Sequence, residues 1–172
     1  HLKEYGWEYI VVDIQWYEPK SNQKSRDPYA YPRSLDTNID DYGRVWPAAN
    51  KHPSSVDGKG FKPLSEYVHS LGLKFGIHMM RGIPRVAYER NTPILGTEYT
   101  ARDIADPGST CPWNPDMYGV DTTREGAQEY YNSIFDLAAE WGVDYVKIDD
   151  LSRPYHRGEI EAIRKAIDQC GR

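Results

Sequence analysis

Three apolar segments of the chain each follow a glycine and each end in polar or charged residues. They are Trp7–Trp16 after Gly6, Leu73–Met79 after Gly72 and Val143–Asp150 after Gly142. Their β-branched and aromatic residues predict strands that are covered on both faces. A glycine directly before a strand is typical of the end of a preceding helix. The repeated order of helix, glycine, strand and polar exit predicts parallel strands joined by helical crossovers.

Apolar residues recur at helical spacing in three further segments, which are 63–71, 127–141 and 159–169. The pattern Thr122-Thr123-Arg124-Glu125 predicts a capping box at the start of the second helix. Two long polar segments, 17–60 and 81–121, carry many prolines and show neither helical nor strand periodicity. We expect both to be structured loops, and loops of that length are usually functional.

Long loops after strands and short turns before them are typical of a (β/α)8 barrel, whose active site lies on the long loops. Because a complete barrel needs about 250 residues, the sequence predicts a partial barrel of three consecutive βα units. Residues 1–172 would then be a fragment of one catalytic domain, without its first strand and its C-terminal strands. The alternative is a flavodoxin-like open sheet, which would normally have shorter loops and a glycine-rich first turn.

Composition narrows the classes of partner. The net charge is −5 and no basic patch runs along the 172 residues, so nucleic acid and anionic membranes are poor partners. No apolar run approaches the roughly 20 residues that span a bilayer. Two cysteines are too few for a disulfide framework. Aromatic residues make up 13% of the chain, many of them in the loops. Rings in such positions suit flat ligands such as sugars, but most of them are expected to fill small cores of the loops themselves.

Charged and polar side chains at the strand exits are the candidate site. They are Asp13, Gln15 and Trp16, then His78 and Arg81, then Lys147, Asp149 and Asp150. Two chemistries use such a set: glycoside hydrolysis by a pair of carboxylates, and proton abstraction assisted by a divalent metal. Asp149 and Asp150 cannot form a glycosidase pair, because neighbouring residues of a strand point to opposite faces. A plain ion pair at a strand end is the alternative without function.

Three blocks of the sequence resemble the melibiase family of glycoside hydrolases, family 27, which contains α-galactosidases and their relatives. The blocks are 9–16 (Tyr-Ile-Val-Val-Asp-x-x-Trp), 60–77 (Gly-Phe-Lys-Pro-Leu through Gly-Ile) and 141–149 (ending Lys-x-Asp). The resemblance implies a retaining exo-glycosidase with Asp149 as the nucleophile and Lys147 and Asp13 on sugar hydroxyls. It also implies that Trp16 lines the pocket, that no metal or organic cofactor is needed, and that the compartment is secreted or periplasmic.

Three parts of the family pattern differ in this chain. Ile14 stands where the family usually has a second Asp that accepts the galactose C6 hydroxyl, so we expect a preference for β-L-arabinopyranosides, which lack C6, over α-D-galactosides. Leu151 replaces a cysteine that is usually disulfide-bonded, so Cys111 is expected to lack that partner. His78 and Met79 replace the Tyr-x-Asp pattern that is common in the family. His78 either takes over the sugar contact of the tyrosine or is a structural histidine at the strand end. We expect Cys111 and Trp113, in the second long loop, to lie at the level of the active face and to bind substrate there.

The general acid/base of the family lies on a later strand, outside residues 1–172, so the isolated segment is expected to be inactive. Two rival interpretations stay open. One is a barrel enzyme that holds a divalent ion with Asp13, Asp149 and Asp150; the other is a non-catalytic sugar-binding fragment.

Overall fold

The computed structural model describes residues 2–20 and 36–172. Part of the first predicted long loop, residues 21–35, therefore lies outside the described residues. No helix in the described part of the chain combines the length and the apolar character needed to cross a membrane.

A three-stranded parallel sheet forms the centre of the fold. Its strands are β1 (Tyr9–Val12), β2 (Lys74–Met80) and β6 (Tyr145–Asp149), which lie side by side in the order β1-β2-β6. All three predicted strands are thus confirmed, and so is the α/β class, although the sheet does not close into a barrel within the described residues. Gly76 lies between Val11 and Tyr145 in register. A Cβ at Gly76 would lie 3.1 Å from both of these side chains, so the close strand packing favours glycine here.

Helices α1 (Lys62–Ser70), α4 (Ala127–Glu140) and α5 (Arg157–Gln169) confirm the three predicted helices. The predicted capping box is wrong. The N-cap of α4 is Gly126, in the left-handed conformation with φ 88°, and no side chain caps it. Asp121 instead accepts hydrogen bonds from the amide and hydroxyl of Thr123, which closes a turn ahead of the helix.

The segment 81–121, predicted to be loop throughout, contains a second small sheet. The elements of this segment are β3 (Ile83–Pro84), α2 (Arg85–Arg90), α3 (Ala101–Ile104), β4 (Ala105–Thr110) and β5 (Met117–Val120). The three strands are antiparallel in the order β3-β5-β4. Pro84 and Pro107 lie in the two edge strands, where a missing amide proton costs least. Because these strands are short and contain prolines, the sequence shows no strand periodicity there.

The core fills one side of the parallel sheet. Trp16, Phe61, Phe75 and Trp141 are all nearly fully buried there and pack in edge-to-face contacts. The opposite side of the sheet is open near the start of the strands, where the side chains of Tyr9, Val11 and Tyr145 are 45%, 38% and 47% exposed. Because strand residues alternate, this open side is also the side of Asp13, Lys147 and Asp149.

Candidate active site

The polar site lies at the carboxyl ends of the three parallel strands. Asp13 directly follows β1, His78 lies in β2, and Lys147 and Asp149 lie in β6. The Lys147 ammonium is 3.4 Å from Asp13 Oδ1 and 3.5 Å from Asp149 Oδ2. The imidazole Nε2 of His78 is 3.1 Å from the same Asp149 oxygen. The sheet therefore brings together two carboxylates, an ammonium and an imidazole, as the strand exits predict.

The pKa shifts of Asp13, Lys147 and His78 agree with the distances between these side chains. The Ile14 amide and then the Lys147 ammonium hold the pKa of Asp13 below its usual range. Desolvation lowers the pKa of Lys147, but hydrogen bonding to Asp13 and the charge of Asp149 outweigh it, so that this pKa is raised overall. Burial lowers the pKa of His78 even though Asp149 opposes the shift. The stable charge pattern is consequently an ionised Asp13, a cationic Lys147 and a neutral His78.

The chain turns sharply after β1, and the side chains of Ile14 and Gln15 have different surroundings. Ile14 is 39% exposed next to Asp13. Gln15 adopts a left-handed conformation with φ 60°, which is uncommon for a residue other than glycine. The side-chain amide nitrogen of Gln15 donates to Asn114 Oδ1 and Asp116 Oδ2, both at 3.2 Å. These contacts hold the segment before β5 against the end of β1, and Trp113 of that segment is 59% exposed.

Trp16, His78 and Cys111, which the sequence predicts to bind substrate, lie beneath the surface of the site. Their exposed fractions are 2%, 0% and 2%. The indole nitrogen of Trp16 donates to the backbone oxygen of His78 at 2.7 Å. Cys111 forms no disulfide within the described residues, and burial raises the pKa of its thiol. Among the predicted substrate-binding residues, Asp13, Ile14, Trp113 and Lys147 present surface to solvent.

Asp150 points away from the site, as alternation predicts, and enters a buried ion-pair network. It is left-handed with φ 68°. Arg81 lies 2.9 Å from its carboxylate and 2.8 Å from that of Glu159 on α5, which also accepts the hydroxyl of Tyr131. The expectation that Arg81 lies at the rim of the site is therefore wrong, because its side chain is only 3% exposed and lies behind the rim. No sequence signal indicates the Arg81–Glu159 pairing, since the two residues are 78 positions apart.

The three aspartates of the metal hypothesis do not converge, because Arg81 holds Asp150 on the other side of the strand. Within residues 2–20 and 36–172, no group of three or more histidine, cysteine or acidic side chains could hold a metal ion.

No family model matches the chain. Among curated proteins, α-galactosidase 3 of Hypocrea jecorina is 30% identical over 119 residues, which is 63% of this chain and 18% of that protein. Human α-galactosidase A is 25% identical over 151 residues, 86% of this chain and 21% of that protein. The chain therefore spans about a fifth of the length of these relatives.

Solved structures are more similar. A family-27 β-L-arabinopyranosidase from Geobacillus stearothermophilus is 59% identical over 99% of this chain and 39% of its own, with a TM-score of 0.89. A Bacillus halodurans protein proposed to be an α-N-acetylgalactosaminidase is 58% identical over 100% of this chain and 40% of its own, with a TM-score of 0.90. An isomalto-dextranase from Arthrobacter globiformis, at 18% identity and a TM-score of 0.64, shares the fold.

The structures that are 58% and 59% identical cover 100% and 99% of this chain, and so match it over its whole parallel sheet and the polar cluster at the carboxyl end of that sheet. The chain belongs to glycoside hydrolase family 27, the family of the α-galactosidases and their relatives.

Proposed function

We propose that residues 1–172 form part of a single (β/α)8 catalytic domain. The open side of the sheet supports this, because Tyr9, Val11 and Tyr145 are large apolar side chains that a closed barrel would cover. The polar cluster at the carboxyl ends of the strands is where such barrels carry their active sites.

The domain is a retaining exo-glycosidase, and the observation that carries this proposal is the position of Lys147 between Asp13 and Asp149. Asp149 attacks the anomeric carbon; its side chain is 29% exposed and thus within reach of a ligand. Lys147 and Asp13 are 44% and 66% exposed and bind sugar hydroxyls. Protonation of the leaving group requires an acid, which a residue outside 1–172 supplies. This chemistry requires neither a metal nor an organic cofactor.

The substrate is a carbohydrate with a terminal β-L-arabinopyranosyl residue, and terminal α-D-galactosyl residues are weaker substrates. The exposed side chain of Ile14 lies next to Asp13, and its own amide donates to that carboxylate. A hydroxymethyl group placed against Ile14 would find no hydrogen-bond acceptor, and an unsatisfied hydroxyl costs about 1–3 kcal/mol. The 59% identical β-L-arabinopyranosidase supports the same preference.

The decisive experiment replaces the nucleophile in the full-length protein. Asp149→Ala should lower kcat by at least about 1,000-fold, since removing one member of a catalytic set costs several orders of magnitude. Added azide should restore turnover of the p-nitrophenyl glycoside and give a glycosyl azide of inverted configuration. Asp168→Asn, which neutralises an exposed carboxylate of α5, is the matched control and should retain activity. Activity retained by Asp149→Ala would contradict the proposal.

Residues 1–172 purified alone should show no turnover, because the acid is absent. Binding of arabinose or galactose without turnover, even in the full-length protein, would favour a non-catalytic sugar-binding function instead.

A further inference from the structure

His78 is a buried imidazole directly behind the proposed nucleophile. Its ring has no exposed surface. Nε2 lies 3.1 Å from Asp149 Oδ2, and the backbone oxygen of His78 accepts the indole proton of Trp16 at 2.7 Å. The other ring nitrogen, Nδ1, has no hydrogen-bond partner within the described ranges. The residue is thus fixed from the backbone and directs one ring nitrogen at one carboxylate.

Burial decides which nitrogen of His78 carries the proton. Desolvation lowers the pKa of His78, so the ring is neutral and carries a single proton. A proton on Nδ1 would leave a buried donor unsatisfied and would set the bare Nε2 against the carboxylate oxygen. A proton on Nε2 makes a hydrogen bond to Asp149 and leaves only a bare acceptor at Nδ1. The second tautomer is therefore favoured, and His78 is a donor to Asp149.

The two oxygens of Asp149 have different surroundings. Oδ2 receives the His78 donor and also faces the Lys147 ammonium at 3.5 Å. In the part of the chain that the structure describes, Oδ1 receives no hydrogen bond. Lys147 is shared with Asp13 and is 44% exposed, whereas His78 is enclosed and contacts Asp149 alone among the carboxylates. The rigid contact to Oδ2 is consequently the one from His78.

We propose that His78 is the residue that positions the nucleophile, holding Oδ2 of Asp149 so that Oδ1 faces the anomeric carbon. This inference rests on the proposed function. Oδ1 forms the bond to the anomeric carbon while the bond from that carbon to the leaving oxygen breaks, and that oxygen takes a proton from the acid outside this chain. In the resulting ester Oδ2 is the carbonyl oxygen, which still accepts the proton of His78.

The test compares kcat and KM of three variants of the full-length protein on p-nitrophenyl β-L-arabinopyranoside. His78→Phe keeps a flat ring and removes the donor. His78→Gln keeps an amide nitrogen near the position of Nε2. The control His69→Phe breaks the 2.7 Å contact of His69 with Asp144, a similar pair that precedes β6 at the opposite end of the strand.

His78→Phe should lower kcat/KM by about 10- to 100-fold, the usual worth of a hydrogen bond to a charged group. KM should change by less than about threefold, because the contact is to the nucleophile and not to the sugar. His78→Gln should restore most of the activity, because its amide nitrogen can still donate to Asp149. His69→Phe should leave kcat and KM unchanged.

An unchanged kcat in a folded His78→Phe protein would overturn the inference. If that variant does not fold, His78→Asn replaces it, because the shorter Asn amide cannot reach Oδ2. Equal kcat values for the Asn and Gln variants would then overturn the inference. Asp149→Ala distinguishes a failure of the role of His78 from a failure of the proposed function. If it is inactive while His78→Phe behaves as wild type, only the role of His78 is wrong, whereas an active Asp149→Ala protein refutes the proposed function itself.

Discussion

The ammonium of Lys147 lies 3.4 Å from the carboxylate of Asp13, although their strands are not neighbours in the sheet. Strand β2 separates them, so the contact passes over His78, which is in register with Lys147. Both side chains are largely exposed, and exposed ion pairs stabilise a fold by only about 0.2–1 kcal/mol. The pair is therefore a weak structural contact and a well-placed pair of ligands for a polar molecule.

The first prediction is that Asp13 and Lys147 contribute more to activity than to stability. Asp13→Asn and Lys147→Met should each lower kcat/KM of the full-length protein by about 10- to 100-fold, because under the proposed function each removes a charged hydrogen bond to the sugar. Each should change the free energy of unfolding by no more than about 1 kcal/mol. Steady-state kinetics and urea denaturation measure the two effects. A large loss of stability with unchanged kinetics would mean that the pair is only a salt bridge at a strand end.

The second prediction concerns Ile14 and substrate preference. Ile14→Asp supplies the acceptor that a C6 hydroxyl lacks, so the ratio of kcat/KM for p-nitrophenyl α-D-galactoside to that for the β-L-arabinopyranoside should rise. We expect roughly a 5- to 150-fold rise, equivalent to about 1–3 kcal/mol. Ile14→Val keeps an apolar side chain and should leave the ratio near wild type. A wild-type protein that strongly prefers the galactoside would refute this role of Ile14.

The parts of this site that sequence could predict are those that follow from strand alternation. A period of two places Lys147 and Asp149 on one face and Asp150 on the other, and the structure agrees. Contacts between distant segments leave no such pattern. The pairing of Arg81 with Glu159 and the burial of His78 depend on how the loops fold over the strand ends, and the prolines of the small antiparallel sheet conceal its strands.

The third prediction tests the buried network behind the site. Arg81→Met would leave the carboxylates of Asp150 and Glu159 buried without their cation; both side chains are 6% exposed. Breaking such a pair costs about 3–5 kcal/mol of stability. Arg164→Met removes the exposed pair with Asp168 on α5 and should cost less than about 1 kcal/mol. Equal effects of the two substitutions on the urea midpoint would show that the network contributes no more than a surface pair.

The fourth prediction is a pH dependence of stability caused by Glu18. This side chain is 4% exposed, and its desolvation raises its pKa from 4.5 to about 7, with the charges of Asp116 and Asp36 adding to the effect. The hydroxyl of Thr37 donates to the carboxylate and opposes the shift. Because the folded protein holds this proton more tightly than the unfolded chain, the stabilisation is complete below about pH 4.5 and is lost as the pH rises to about 7.

Glu18→Gln should remove this dependence, because the amide is neutral at every pH. Relative to wild type, the variant should gain stability as the pH rises from about 4.5 to 7, by on the order of 3 kcal/mol in total at 1.36 kcal/mol per pH unit. Thr37→Val removes the opposing hydroxyl and should move the upper end of the window to higher pH. Urea denaturation at intervals between pH 4 and 8 measures both. A constant difference between Glu18→Gln and wild type over this range would show that Glu18 does not titrate there.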